Sequence, residues 1–318
     1  MISNMGGVPK RSKKDTKPTA PNVHVGTCWG FPALAGEFML SILHPDPDTL
    51  ENMRIAIGQI LSSHDPQENL EQVQELAARA GQDRADVLVL PEATMFAFGR
   101  SLKNVAEPVD GPWAQAVSQA AQEHGVAIVA GMFSPGDEGR VRNTAVIALA
   151  DGRVLSYDKT HLYDAFGFKE SDTVQAGAAP VTFDLAGVTV GVATCYDIRF
   201  PALFTHMAAD GAQVVLLGAS WGDGPGKVEQ WELLARARAL DATSYVVAVG
   251  QANPASVGRK VEGNAPLGVG HSLVAAPDGS VVASLEDAPD YLVVDLDLDL
   301  VEKTRKSIPV LENARDFS

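Results

Sequence analysis

The chain is predicted to be an α/β protein, and three features of its 318 residues carry that reading. From Met53 onward, apolar runs of strand length alternate with amphipathic stretches of helix length. The runs are nearly unbroken Val, Ile and Leu, as expected of strands covered on both faces. Asp-Gly pairs at 151–152 and 278–279 separate neighbouring runs where tight hairpins would turn.

MRIAIGQI (53–60) opens the series as a strand. A helix over Asp65–Arg79 follows, because Asp65-Pro66 supplies an N-cap and a proline at the first helical position. DVLVLPE (86–92) reads as the second strand, and Gly111-Pro112 opens a helix to about His124. Four strands come next: VAIVAGMF (126–133), NTAVIALA (143–150), GRVLSYDK (152–159) and GVTVGVATC (187–195). A helix over Pro201–Asp210 leads to strand AQVVLLGAS (212–220), and Val228–Thr243 is a long helix. SYVVAVGQ, GHSLVAAP, SVVASL and DYLVVDLDL complete the strands. Residues 1–52 differ: proline, glycine and lysine are scattered without periodicity, apart from a short helix around Ala33–Ile42. They are read as a poorly ordered extension to one domain at 53–318, for which Met53 is an alternative start.

The hydrophobic fraction of 46% is enough for a sizeable core. A net charge of −15 repels phosphates and argues against a nucleic-acid partner. The basic cluster Lys10, Arg11, Lys13 and Lys14 is followed by no apolar segment of a signal peptide, and no run approaches the ~20 residues that span a bilayer. A cytoplasmic location without membrane contact is expected. Only Cys28 and Cys195 occur, too few for a disulfide framework or a cysteine-based zinc site, so no metal is expected.

Three polar residues stand where apolar strands end: Glu92 after DVLVLP, Lys159 after RVLSYD, and Cys195 after VTVGVAT. Strand C-termini are where α/β folds open their ligand crevice. A thiol needs a base or a neighbouring cation to become a nucleophile near neutral pH. A carboxylate can be that base, and an ammonium can stabilise the oxyanion of an attacked carbonyl. Together they form a complete acyl-transfer set.

LVLPE (88–92), YDKTHLYDAFGFKESD (157–172) and GVATCYDIRFP (191–201) resemble the three catalytic motifs of the nitrilase superfamily, in the same order. ASWGDGPGKVEQWELLARARALD (219–241) is similar to its Trp-rich loop and RARA helix, and GVGHSLVAAPDG (268–279) to its glycine-rich hairpin. The resemblance implies a four-layer α-β-β-α sandwich, no metal or organic cofactor, and a homodimer paired through a helical face. It further implies Cys195 as nucleophile, Glu92 as general base, Lys159 with the Tyr196 N–H as oxyanion donors, and Glu170 as an orienting second glutamate. CYDIRFP resembles the small Nit-type amidases, including ω-amidase and deaminated glutathione amidase, so a small carboxylic-acid amide is the expected substrate. Arg199 is a candidate partner for a substrate carboxylate, or else a structural ion pair with Asp197 or another carboxylate. Trp221 and Phe98 are candidate pocket walls. The extension and the insertion at 255–269 depart from the resemblance.

Other readings remain open at this level. An N-carbamoyl amino acid amidohydrolase would share the machinery. Gly218-Ala219-Ser220-Trp221-Gly222 fits the GxSxG of serine esterases, although the helix required after the serine begins only near Val228. His161 or His206 would be the base of a Cys–His protease, and a catalytically silent binding protein is a further alternative. A dinucleotide fingerprint is absent.

Overall fold

Side-chain alternation along the strands decides how the layers stack. The structure, a computed structural model, describes residues 52–165, 167–260 and 265–315. The expected extension and the helix near 33–42 lie outside the described residues, except Asn52, which already pairs with Asp297. The strands are β1 (Asn52–Gln59), β2 (Val87–Val89), β3 (Ala127–Pro135), β4 (Val141–Ala148), β5 (Val154–Asp158), β6 (Asp164–Ala165) and β7 (Phe168–Lys169). They continue as β8 (Val181–Leu185), β9 (Val188–Thr194), β10 (Val214–Ala219), β11 (Tyr245–Gly250), β12 (Leu273–Ala275), β13 (Val281–Ser284) and β14 (Asp290–Asp297). The helices are α1 (Pro66–Gln82), α2 (Pro112–His124), α3 (Pro201–Ala209), α4 (Lys227–Ala242) and α5 (Asp299–Ser307).

One six-stranded sheet runs β14-β1-β2-β3-β4-β5 and the other β13-β12-β11-β10-β9-β8. Met53, Ile55 and Ile57 of β1 share a core with Val190 and Val192 of β9 and with Val214 and Leu216 of β10. This core lies between the sheets. The alternate residues face outward: Ala56, Leu88 and Ile128 pack with residues of α1 and α2, while Val215, Leu217 and Val246 pack with residues of α3 and α4. The result is the four-layer α-β-β-α sandwich.

Among the described residues each predicted strand and helix is present, with ends shifted by a few residues. Asp65 caps α1, accepting a hydrogen bond from Gln67 N at 2.8 Å. Both Asp-Gly pairs turn hairpins, β4–β5 and β12–β13, with Gly152 and Gly279 at positive φ. The sequence reading missed β8, the small β6–β7 hairpin and α5. β8 is an edge strand whose VTFDL alternates apolar and polar. α5 is mostly polar and buries only Val301 and Thr304.

The second strand ends at Val89 rather than Glu92. Beyond it the chain turns in toward the other sheet. That turn passes so close to its neighbours that a Cβ at Gly131 would lie 2.8 Å from the Glu92 Cα, and one at Gly218 would lie 2.9 Å from the Glu92 N. Glycine at both positions lets β3 and β10 approach the Glu92 backbone.

Candidate active site

Cys195 stands at the end of β9, where the strand breaks into a 3₁₀ turn over Cys195–Arg199. Its φ is +48°, a left-handed conformation that non-glycine residues seldom adopt. The surrounding hydrogen bonds hold it there. The Thr194 side chain accepts from the Asp197 backbone, and Thr194 N donates to Asp197 Oδ2 at 2.8 Å, a capping box on the Cys195 turn. From α4, Arg238 donates to the Ile198 carbonyl of the same turn at 3.1 Å.

Asp197 is fully buried and reaches across to the other sheet. It accepts from the Tyr157 hydroxyl at 2.8 Å, from Thr160 Oγ1 at 3.2 Å and from the His161 backbone N at 3.0 Å. His161 Nδ1 lies 2.7 Å away, and its ring stacks on Phe200 at 3.8 Å. One carboxylate therefore ties the turn carrying Cys195 to the segment carrying Lys159. Burial and the adjacent Asp197 charge push the Tyr157 phenol far above its ordinary range, so it stays a donor.

Lys159 is buried, and its Nζ lies 3.1 Å from Glu92 Oε1 and 3.0 Å from Glu170 Oε2. Asn143 Nδ2 donates to both carboxylates, at 2.7 Å to Glu92 and 3.3 Å to Glu170. The second Glu92 oxygen accepts from Ser220 N at 2.8 Å, and Cys195 Sγ is 3.9 Å from the Ser220 carbonyl. Glu170 also accepts from Tyr163 N at 2.6 Å. Every oxygen of the two carboxylates thus has a donor, as buried charge requires.

Electrostatics assigns the protons. Burial alone would lower the Lys159 pKa, but Glu92 and Glu170 outweigh it and hold the ammonium well above its ordinary value. The Cys195 thiol is pushed well above its usual range, first by burial and then by the Glu92 charge, against the pull of Lys159. These shifts favour the protonated thiol and the ammonium. Cys195 remains partly exposed, which leaves an approach for a substrate.

Glu92, Lys159, Glu170 and Cys195 are brought together. Around the sulfur, Tyr196 packs edge-on against Tyr163 and Phe200, with ring centroids 5.1 and 5.4 Å away. Arg199 lies over Trp221 at 5.0 Å and donates to Gln230 Oε1 at 2.9 Å. Among the described residues it forms no ion pair with Asp197, whose oxygens are taken by other donors. Phe98 lies elsewhere. It lines a cavity of about 600 Å³ with Ser62, His64, Arg100, Arg259 and Leu267. Among the described residues that cavity adjoins the cluster through Ala93, through Ser220 and through Gln251, which donates to the Glu92 carbonyl at 3.1 Å. Arg259, Lys260, Ala265 and Leu267 of the stretch 255–269 line it, and the Pro266 carbonyl accepts the Ser220 hydroxyl at 2.6 Å.

Ser220 contributes through its backbone, and the helix after it starts at Lys227, so the esterase elbow is not formed. His161 is engaged by Asp197, and His206 lies 3.3 Å from Asp210 on α3, so neither matches a base for Cys195. Sequence reasoning missed Asn143 and the bridging role of Asp197. A polar Asn143 heading an apolar strand was a readable signal; the partners of Asp197 were not.

The profile of the carbon-nitrogen hydrolase family matches residues 54–306. A Mycobacterium tuberculosis protein named hydrolase MT0498 is 53% identical over 271 residues, covering 83% of this chain and 96% of that protein. The deaminated glutathione amidase of Escherichia coli O157:H7 is 32% identical over 269 residues, covering 83% and 97%. Among solved structures, a cysteine-to-alanine mutant of the amidase from Nesterenkonia sp. AN1 in complex with butyramide superposes with a TM-score of 0.67. It is 30% identical and the match covers 81% of this chain and 95% of that one. With the fold, the strand-end cluster and these relatives in agreement, the chain belongs to the carbon-nitrogen hydrolase family.

Proposed function

We propose that this protein hydrolyses the amide of a small carboxylic acid through a thioester on Cys195. The reading is carried by one observation: Glu92 is held by Lys159, Asn143 and Ser220 N on the side of the site where Ser220 also meets the Cys195 sulfur. The thiol starts protonated, so attack and proton transfer are coupled. Sγ bonds to the amide carbon while its proton passes to Glu92. The oxyanion is met by the Lys159 ammonium and the Tyr196 N–H. Collapse breaks the C–N bond, Glu92 delivers its proton to the departing nitrogen, and ammonia leaves. Glu92 then takes a proton from water, whose oxygen attacks the thioester. The acid is released and the thiol regains the proton. Glu170 keeps Lys159 charged and pointed at the carbonyl.

At the mouth, Arg199 is the cation available for a carboxylate on the acyl part of the substrate, with Tyr196 and Trp221 as walls. The relatives named for amidase activity support the class of bond. The test is an ammonia-release screen over 2-oxo acid amides, simple aliphatic amides, N-carbamoyl amino acids and nitriles, with intact mass of the trapped protein. An acyl adduct on Cys195 with ammonia from amides is the expected result. Turnover of nitriles alone would overturn the reading.

The assembly that fits is a homodimer through α4, which exposes Leu233 and Leu240 seven residues apart on one face. Light scattering that gives a monomer at micromolar concentration would reject it. A catalytic thiol suits the reducing cytoplasm, where we place the enzyme; fractionation of cells tests this.

A further inference from the structure

We propose that Lys227 and Arg199 form a twin-cation cradle at the mouth of the Cys195 site that selects amides whose acyl part carries two negative charges. The proposal rests on the amidase reading for the reaction and extends it to the substrate.

Lys227 was not among the residues expected from the sequence, and its place follows from the loop between β10 and α4. Trp221 is buried in that loop, and its indole Nε1 donates to the Lys227 carbonyl at 2.9 Å, which fixes the start of α4 beside the ring. The Lys227 ammonium then lies 5.9 Å from the Trp221 centroid, and the Arg199 guanidinium lies 5.0 Å from the same centroid. Two cations of different elements thus converge on one aromatic ring, where the ring quadrupole favours positive charge. Both groups are partly exposed, and Arg199 ends the 3₁₀ turn that begins at Cys195. Burial, and then the charge of Arg199, lower the Lys227 pKa, so the ammonium lies within electrostatic range of the guanidinium.

In a chain with a net charge of −15, the long-range field disfavours anions. Like charges held together at a site mouth repel, and an anion placed between them relieves that repulsion. One carboxylate satisfies Arg199 alone. A second negative charge, from another carboxylate or from a doubly ionised phosphonate, engages Lys227.

The test uses the full-length Cys195→Ala protein, which leaves bound amides intact, and titration calorimetry at about pH 8, where a phosphonate is largely doubly ionised. The probes are butyramide (neutral), succinamate (one charge), the terminal monoamide of tricarballylic acid (two carboxylates) and phosphonopropionamide (one doubly charged group). The doubly charged amides should bind about tenfold more tightly than succinamate, and adding Lys227→Met should remove that advantage. Lys303→Met on α5 is the control for a general loss of positive charge. The two doubly charged probes distinguish paired carboxylates from a single phosphonate. Equal binding of succinamate and both doubly charged amides, or an advantage that survives Lys227→Met, overturns the cradle. If the preference holds but the unmutated enzyme releases ammonia from none of the four, the cradle stands and the amidase reading fails.

Discussion

The two sheets follow one plan and do different work. From one edge to the other, both have an antiparallel pair, two parallel pairs and two further antiparallel pairs. Both send the C-terminal ends of strands to the same site. The sheet built on β1–β5 supplies Glu92 and Lys159, buried and fully bonded, and Glu170 follows from the segment beyond β5. The sheet built on β8–β13 supplies Cys195, Tyr196, Arg199 and Trp221, of which the first three stay partly exposed. After the equivalent strands β2 and β10 stand Glu92 and Ser220, one used through its carboxylate and the other through its backbone. The comparison teaches that one half supplies buried, fully bonded Glu92, Lys159 and Glu170, while Cys195, Tyr196 and Arg199 of the other half stay partly exposed. Asp197 is the tie between the halves.

The sharpest break of this division is Cys195→Ala, which should lower kcat by about a thousandfold or more in an ammonia-release assay without changing the circular dichroism. On the other half, Glu92→Gln should lower kcat by about a hundredfold or more, with a smaller change in KM, because it removes proton transfer rather than binding. Lys159→Met tests the setting itself. It leaves Glu92 and Glu170 facing each other without a cation, so we expect a loss of about 3–5 kcal/mol in denaturant unfolding. Acidification should recover part of that loss, since protonating one carboxylate ends the repulsion. A variant as stable as the parent would show that the ammonium is not what holds the pair.

Asp197→Asn cuts the tie while keeping its shape, and about a tenfold to hundredfold loss in kcat with a displaced pH profile is expected. The smallest effect concerns stability against pH. Above about pH 8.5 an unfolded cysteine loses its proton while the native Cys195 thiol keeps it, so the folded state binds more protons. Stability must then fall as pH rises through this range, and more steeply in the parent than in Cys195→Ala. Parallel curves of Tm against pH for the two proteins would contradict the raised thiol pKa.

Much of this arrangement was legible before folding was considered. Strands such as AQVVLLGAS and the helix begun by Asp65-Pro66 declare themselves because β-branched runs, caps and prolines act within a few residues. Weak local signals were lost. The α5 helix holds its turns partly with Lys303–Asp299 and Lys306–Glu302 pairs on a polar surface, and β8 hides its alternation behind a preceding Ala-Gly-Ala-Ala-Pro stretch.

The amino-acid order alone determined which elements form and which side chains stand at their ends, since both depend on neighbours along the chain. Only the stacking of the sheets decided that Glu92 meets a backbone N–H 128 positions away, and only strand order within one sheet brought Asn143 to Glu92 and Glu170. The same stacking commits Asp197 to Tyr157 and His161, which leaves Arg199 to join Lys227 over Trp221. A charge buried between layers must find its donors in space, and no local rule of sequence says which strand will bring them.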